Sequence, residues 1–281
     1  MSRDIRLDDV TFRYADGTQA LTGVALAVRP GERLALVGQN GSGKSTLVRH
    51  LNGLLRPTSG RVLIDGVDVA GRHVADLAVL VGLAFQNPDR QVFAATVRAE
   101  VAFGPRNLGR RGEALDRAVA AALGAVGMTG LEDARPYDLG YSRRKLLAIA
   151  SVLSMETPIV VLDEPTTGQD ARGIAMLKQV VANLAAEGRT VIAISHDMRF
   201  VAEAFERVVV MRDGRIVLDG PPGQVFGESS WEILASTYLE PPYSVRIGAR
   251  LGLGSTPTER DLVDALATRI GRHSGEPGPG A

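Results

Sequence analysis

A chain of 281 residues, 45% of them hydrophobic, is long enough to bury a sizeable core without staples. Its zero cysteines exclude a disulfide framework, a cysteine nucleophile, a Cys-ligated zinc site and an iron–sulfur cluster. Its 32 basic and 32 acidic side chains cancel, which leaves no global field to gather nucleic acid or anionic lipid, so any phosphate site must be local.

No apolar run approaches the roughly 18 residues that span a bilayer, and Met1–Asp4 lacks the apolar stretch of a signal peptide. The expectation is a soluble protein of a reducing compartment. Ile5–Tyr14 and Gln19–Val28 read as strands on either side of Ala15-Asp16-Gly17, a hairpin pattern. After the turn Pro30-Gly31-Glu32, Arg33–Val37 reads as a buried strand that enters a glycine-rich loop, followed by a helix over Lys44–Asn52. Arg61–Ile64 is a strand closed by Asp65-Gly66, and the apolar run Ala78–Phe85 reads as a buried strand centred on Val81–Phe85. From Thr96 to Ser154, Ala, Leu and Arg recur at helical spacing with no convincing strand, and Leu146–Met155 reads as a buried helix. Strand and helix then alternate. Pro158–Leu162 is a buried parallel strand, Ala171–Glu187 a helix that stops at Gly188, Thr190–Ser195 a strand and Met198–Phe205 a helix. Arg207–Met211 and Arg215–Gly220 flank Asp213-Gly214 as a second hairpin. This order predicts an α/β sheet covered by helices, with the helical middle inserted into it. Beyond Gly227, Trp231–Tyr238 and Glu259–Ile270 read as helices, and residues 273–281 as a disordered tail.

Gly38-Gln39-Asn40-Gly41-Ser42-Gly43-Lys44-Ser45, with Thr46 next, matches the phosphate-loop pattern G-x-x-x-x-G-K-[ST] between a strand and a helix. Chance would produce that pattern in roughly four of a thousand chains of this composition. Glycines let the backbone fold back and aim successive N–H groups at phosphate oxygens, and the helix N-terminus adds partial positive charge. Lys44 can reach the β- and γ-phosphates, and the Ser45 hydroxyl can ligate Mg²⁺. Only three of the 32 basic residues are lysines, and one stands where a compact ammonium on a flexible stem suits the chemistry better than a planar fork.

Asp163 and Glu164 end the apolar run Val160-Val161-Leu162, and ligands in α/β sheets sit beyond such carboxyl ends. Asp163 can hold Mg²⁺ through water and Glu164 can act as general base; with Pro165 and Gly168 following, an acidic turn that caps a helix also fits. Ser195-His196-Asp197 follows another apolar strand, which aims His196 at the same crevice. Gln86, in Phe85-Gln86-Asn87-Pro88, is placed to reach metal and water, or else is a polar turn before Pro88. Tyr14 is placed to stack on adenine, or else is a half-buried strand aromatic. His50, His73 and His273 have no such context.

Tyr14, Gly38–Ser45, Gln86, Asp163-Glu164, Asp170 and His196 occur in the order and spacing of the ATP-binding cassette (ABC) ATPases, and the resemblance covers about residues 3–228. The stretch Phe85–Phe93 (FQNPDRQVF), Val101–Pro105 (VAFGP) and Gly168-Gln169-Asp170 resemble a narrower branch, the ATPase subunits of energy-coupling factor importers for vitamins, cobalt or nickel. The resemblance implies an α/β fold: a P-loop, RecA-like ABC nucleotide-binding domain over residues 1–228, with an antiparallel β subdomain and an inserted helical subdomain at about 87–154. An extension at 229–272 and a tail at 273–281 follow. It implies ATP and Mg²⁺ as ligands and a D-loop at Asp170. It also implies a head-to-tail dimer in which each ATP lies between one chain's phosphate loop and the other's signature segment. Where the family signature reads Leu-Ser-Gly-Gly-Gln, this chain has Leu139-Gly140-Tyr141-Ser142-Arg143. Gly140 lacks the hydroxyl that meets the γ-phosphate, and Tyr141 puts bulk where a glycine admits close approach; Ser142 and Arg143 are the candidate substitutes. Since the signature acts in trans, the departure favours a heterodimer with a second ATPase carrying the regular signature. The resemblance further implies a membrane-embedded coupling subunit, met by the middle helices near Arg106–Arg111, a substrate-binding membrane subunit, no nucleic-acid partner, and a peripheral place on the cytoplasmic face of the cell membrane. The alternatives weighed are another importer or an exporter ATPase, a soluble cassette protein of repair or translation, and a non-hydrolysing regulatory nucleotide binder.

Overall fold

The computed structural model describes residues 3–274. Along the chain, β1 (Ile5–Arg13) and β2 (Gln19–Val28) form the expected hairpin, and β3 (Arg33–Val37) leads into α1 (Lys44–Leu51). β4 (Ser59–Ile64) turns back on β5 (Val67–Asp68), followed by α2 (Val74–Ala78) and β6 (Val81–Ala84). The apolar run Ala78–Phe85 is therefore not one strand: Ala78 closes a short helix, and Leu80 N–H donates to the Leu77 carbonyl before the strand begins at Val81. The middle is helical as expected, with α3 (Val97–Asn107), α4 (Gly112–Ala125) and α5 (Tyr141–Leu153). Then come β7 (Ile159–Asp163), α6 (Ala171–Ala186), β8 (Thr190–Ile194), α7 (Met198–Ala204) and the hairpin of β9 (Arg207–Arg212) with β10 (Arg215–Gly220).

Two sheets result. The antiparallel one runs β2-β1-β4-β5; the other runs β10-β9-β3-β8-β7-β6 and is parallel from β9 to β6. The period of two along a strand explains how both faces of the parallel sheet are filled. Ala35, Val37, Val160, Leu162, Val191 and Ala193 face one core, shared with α3 to α7. Leu34, Leu36, Ile159, Val161, Ile192 and Ile194 face the other, shared with α1 and the antiparallel sheet. Continuous apolar runs are the sequence mark of a strand buried on both sides.

The helical middle is held by polar groups as well as packing. Thr96 caps α3 by accepting the Ala99 N–H at 3.2 Å, and the buried Glu100 accepts from the Phe93 and Ala94 N–H groups at 2.9 and 2.8 Å. Pro105 lies inside α3 and cannot donate to the Val101 carbonyl. The Ser154 hydroxyl, at the end of α5, donates to that carbonyl instead at 2.8 Å.

After β10 the chain forms α8 (Pro222–Val225), α9 (Trp231–Ser236), α10 (Tyr243–Arg250) and α11 (Glu259–Ser274). The sequence reading carries the helix from Trp231 to Tyr238, but it stops at Ser236, and α10 was not foreseen. The extension is anchored by Leu234 and Val245, which join the larger core, and by Trp231 Nε1, which donates to the Phe226 carbonyl at 2.8 Å. α11 continues through His273 and Ser274, residues expected in the tail; the rest of that expectation, residues 275–281, lies outside the described residues. Among the described residues no helix is long and apolar enough to cross a membrane.

Candidate active site

Because β3, β6, β7 and β8 run parallel, the residues that follow them open on one edge of the sheet. A cleft of about 240 Å³ lies there. The loop after β3 lines it with Asn40, Gly41, Gly43, Lys44, Ser45 and Thr46; Gln86 comes from the end of β6, Asp163 and Glu164 from β7, and Tyr14 from the end of β1. Gly38, Gln39 and Ser42 stand behind this lining and shape the loop. Thr18, Gln19 and Ala20 also line the cleft and were missed from sequence. They carry no motif and arrive only because the antiparallel sheet folds over the loop.

The loop's conformation admits no side chain at two points. Gly38 has φ 145°, and a Cβ there would stand 2.2 Å from the Met211 carbonyl oxygen. Gly43 has φ 103°, and its Cβ would stand 2.5 Å from the Ala20 carbonyl oxygen. Lys44, 7% exposed, donates from Nζ to the Gly38 and Gln39 carbonyls at 2.6 and 2.9 Å and to Ser42 Oγ at 3.3 Å. Burial pushes its pKa below the usual lysine value, while Glu164 and Asp163 push it back up.

Asp163 and Glu164 are 7% and 8% exposed. Burial, and after it the neighbouring Glu164 charge, raise the Asp163 pKa; the Ser45 hydroxyl, Arg49 and Lys145 lower it. Asp163 Oδ1 is buried with no hydrogen-bond partner. A serine hydroxyl, a carboxylate with an orphaned oxygen and the nearby Gln86 form a hard oxygen donor set, which fits Mg²⁺ completed by phosphate oxygens. Among the described residues no group of three His, Cys, Asp or Glu side chains is placed to hold a metal without such help.

Glu164 has φ 51°, a left-handed backbone that costs a side-chain-bearing residue energy and marks a constrained site. Its N–H donates to the Ile194 carbonyl at 2.9 Å. Its Oε2 lies 2.6 Å from His196 Nδ1 and accepts the His196 backbone N–H at 3.3 Å. His196 is thus brought to the crevice edge but does not line the cleft; its ring holds the carboxylate, with most of the side chain exposed. Tyr14 shares a hydrogen bond with Thr46 Oγ1 at 2.9 Å, and its ring meets Phe12 edge-on.

The segment expected as the signature, residues 139–143, is not brought to this cleft. Leu139 is buried, Gly140 precedes α5 without a capping side chain, and Tyr141 and Arg143 are exposed. The Tyr141 ring lies against Gly168, where a Cβ would meet it at 2.7 Å. The Ser142 hydroxyl donates to Gln169 Oε1 at 2.8 Å, and Gln169 Nε2 donates back to the Ser142 carbonyl at 3.1 Å. Asp170 caps α6 by accepting the Gly173 N–H at 2.8 Å. One further group was missed from sequence. Lys145 on α5 is 1% exposed, and burial lowers its pKa to about 8 against the pull of Glu164 and Asp163. The scarcity of lysine was a signal that could have found it.

The family model described as ABC transporter matches residues 21–167. An ABC transporter ATP-binding protein of Caldanaerobacter subterraneus is 44% identical over 88% of the chain, which spans 43% of that relative's length. The energy-coupling factor transporter ATP-binding protein EcfA of Methanothermobacter thermautotrophicus is 41% identical over 92% of this chain and 83% of its own. Among solved structures, cbiO1 of Clostridium perfringens, described as part of the ABC transporter complex cbiONQ, superposes with TM-score 0.74 at 34% identity, covering 88% of this chain and 98% of that one.

Proposed function

Because the chain belongs to the ABC transporter ATPase family, we propose that it is the ATP-hydrolysing subunit of an energy-coupling factor type transporter, powering uptake of a vitamin or of cobalt or nickel through separate membrane subunits. The observation that carries this reading is the convergence of the Gly38–Thr46 loop, Gln86 and the Asp163–Glu164 pair in one cleft beside Tyr14.

The chemistry follows from the placement. Tyr14 offers a ring for the adenine. The loop N–H groups and the N-terminus of α1 take the phosphates, and Lys44 exchanges its loop carbonyls for β- and γ-phosphate oxygens. Ser45, Asp163 and Gln86 are the residues that would hold Mg²⁺, which supplies charge neutralisation on the phosphates. Glu164 accepts a proton from the attacking water as its oxygen bonds to the γ-phosphorus and the bond to the ADP oxygen breaks. His196 keeps that carboxylate aimed.

Phe93 and Phe103, 59% and 48% exposed, meet edge-on 4.8 Å apart, and Arg106 lies one turn past Phe103 on α3. This apolar pair with a basic margin suits helices of a membrane coupling subunit, which would hold the chain peripherally on the cytoplasmic face. The engaged state of Tyr141 and Ser142 supports pairing with a second cassette of regular signature. The test is ATP hydrolysis by the purified chain alone and titrated with cassette partners recovered from membranes. Stimulation on pairing is expected; full activity of the isolated chain overturns the heterodimer, and absence of ATP binding overturns the whole reading.

A further inference from the structure

Lys145 sits on α5 one turn past the Gly140–Ser142 segment, is 1% exposed, and its Nζ has no hydrogen-bond partner. An unpaired ammonium in a protein interior is costly, and an apolar side chain of the same length would remove that cost. A retained buried charge therefore needs a reason. The opposite charges that act on it are Glu164 and, next, Asp163. The influence is mutual, because Lys145 is among the groups that offset Asp163's burial and the repulsion from Glu164.

The chain has three lysines. Lys178 pairs with Glu203 on the surface of α6 and α7. The other two stand on opposite faces of the parallel sheet: Lys44 begins α1, which packs into the core shared with the antiparallel sheet, and Lys145 lies on α5, which packs into the other core. The acid pair at the end of β7 lies between them. Lys44 is directed to the phosphate loop by its bonds to Gly38 and Gln39, so it is not free to serve the acids alone.

We propose that Lys145 is a positioning residue for hydrolysis, a buried countercharge on the signature helix that holds the Asp163 and Glu164 carboxylates in place against their mutual repulsion. The inference rests on the reading of Glu164 as the base. It links the seating of α5, whose N-terminus carries the signature segment, to the geometry of this chain's own base. A shift of α5 moves the charge that Glu164 feels.

The test uses the full-length chain in the assembly that turns over ATP. Lys145→Met should leave the thermal midpoint equal or higher and the KM for ATP within about twofold, while kcat falls about tenfold, the scale of one charge acting through the interior. Lys145→Arg keeps the charge and should recover part of the lost kcat. Unchanged kcat in the methionine variant overturns the proposal. So does a joint fall of kcat and midpoint that Lys145→Arg does not relieve, and so does failure of the methionine variant to fold, since each makes the residue a packing element. Glu164→Gln runs alongside: normal turnover there sinks the base assignment itself, whereas a stalled Glu164→Gln with an active Lys145→Met sinks only the role of Lys145.

Discussion

The phosphate loop and the N-terminus of α5 are both short glycine-bearing segments at the start of a helix, yet they use their polar groups differently. In the loop, Gly38 and Gly43 fold the backbone tightly under Met211 and Ala20, and the Lys44 ammonium gathers the carbonyls inward. The Ser42 N–H closes the turn onto the Gln39 carbonyl at 3.2 Å, and the other loop N–H groups are left for the cleft. At α5 the helix start lacks a capping side chain, Tyr141 lies on Gly168, and Ser142 and Gln169 bond each other twice. The first arrangement is prepared for an anion. The second is prepared for its own chain, and it ties the segment expected as the signature to the loop that follows Asp163 and Glu164.

Five variants or conditions test this contrast. Lys44→Ala removes the cation that organises the loop and meets the phosphates; hydrolysis should fall by on the order of a thousandfold and ATP affinity with it, read by phosphate release and nucleotide titration. Glu164→Gln should lower turnover by on the order of a hundredfold while ATP stays bound, with a closed dimer visible by gel filtration in ATP. Gly140→Ser combined with Tyr141→Gly restores the first three residues of the regular signature, leaving Ser142 and Arg143; turnover of the unpaired chain should rise several-fold, and no change would mean that the departure at 140–141 is silent. Ser142→Ala removes one of the two bonds with Gln169, leaving that to the Ser142 carbonyl, and should cost about 1 kcal/mol of stability with ATP affinity intact, checked by denaturant titration.

The smallest effect concerns pH. Lys145 has a native pKa of about 8 against the usual 10.5, so between those values the unfolded chain holds a proton that the folded chain has released. Stability of the native sequence therefore rises with pH in that window. The stability advantage expected for Lys145→Met should be constant below about pH 8 and shrink toward 10.5, measured as the difference of the two midpoints.

That loop residues of Gly38–Thr46, the acid pair and Gln86 meet in one cleft was legible because the chemistry expected of them needs fixed residue types at fixed spacing next to a strand end. β7 and β8 were legible because strands buried on both faces leave unbroken apolar runs. Other features left no such trace. Thr18 and Gln19 reach the cleft through the fold of the antiparallel sheet, and α10, with exposed Tyr243 and Ile247, has an apolar pattern too short to read. His196 was expected in the crevice, but only side-chain geometry shows it bonded to Glu164. The boundary at Val81 depended on a turn from Leu77 to Leu80 that apolarity conceals.

By itself the sequence determined the fold class, and it singled out the Gly38–Thr46 loop and the Asp163–Glu164 pair as site candidates, since local patterns and a contiguous motif mark them. Tertiary structure decided that Ser142 and Tyr141 are engaged by Gln169 and Gly168, and that the Lys145 ammonium is buried without a hydrogen-bond partner. Those facts join residues far apart along the chain. Packing of α5 against the parallel sheet brings them together, and no pattern within a single segment encodes that contact.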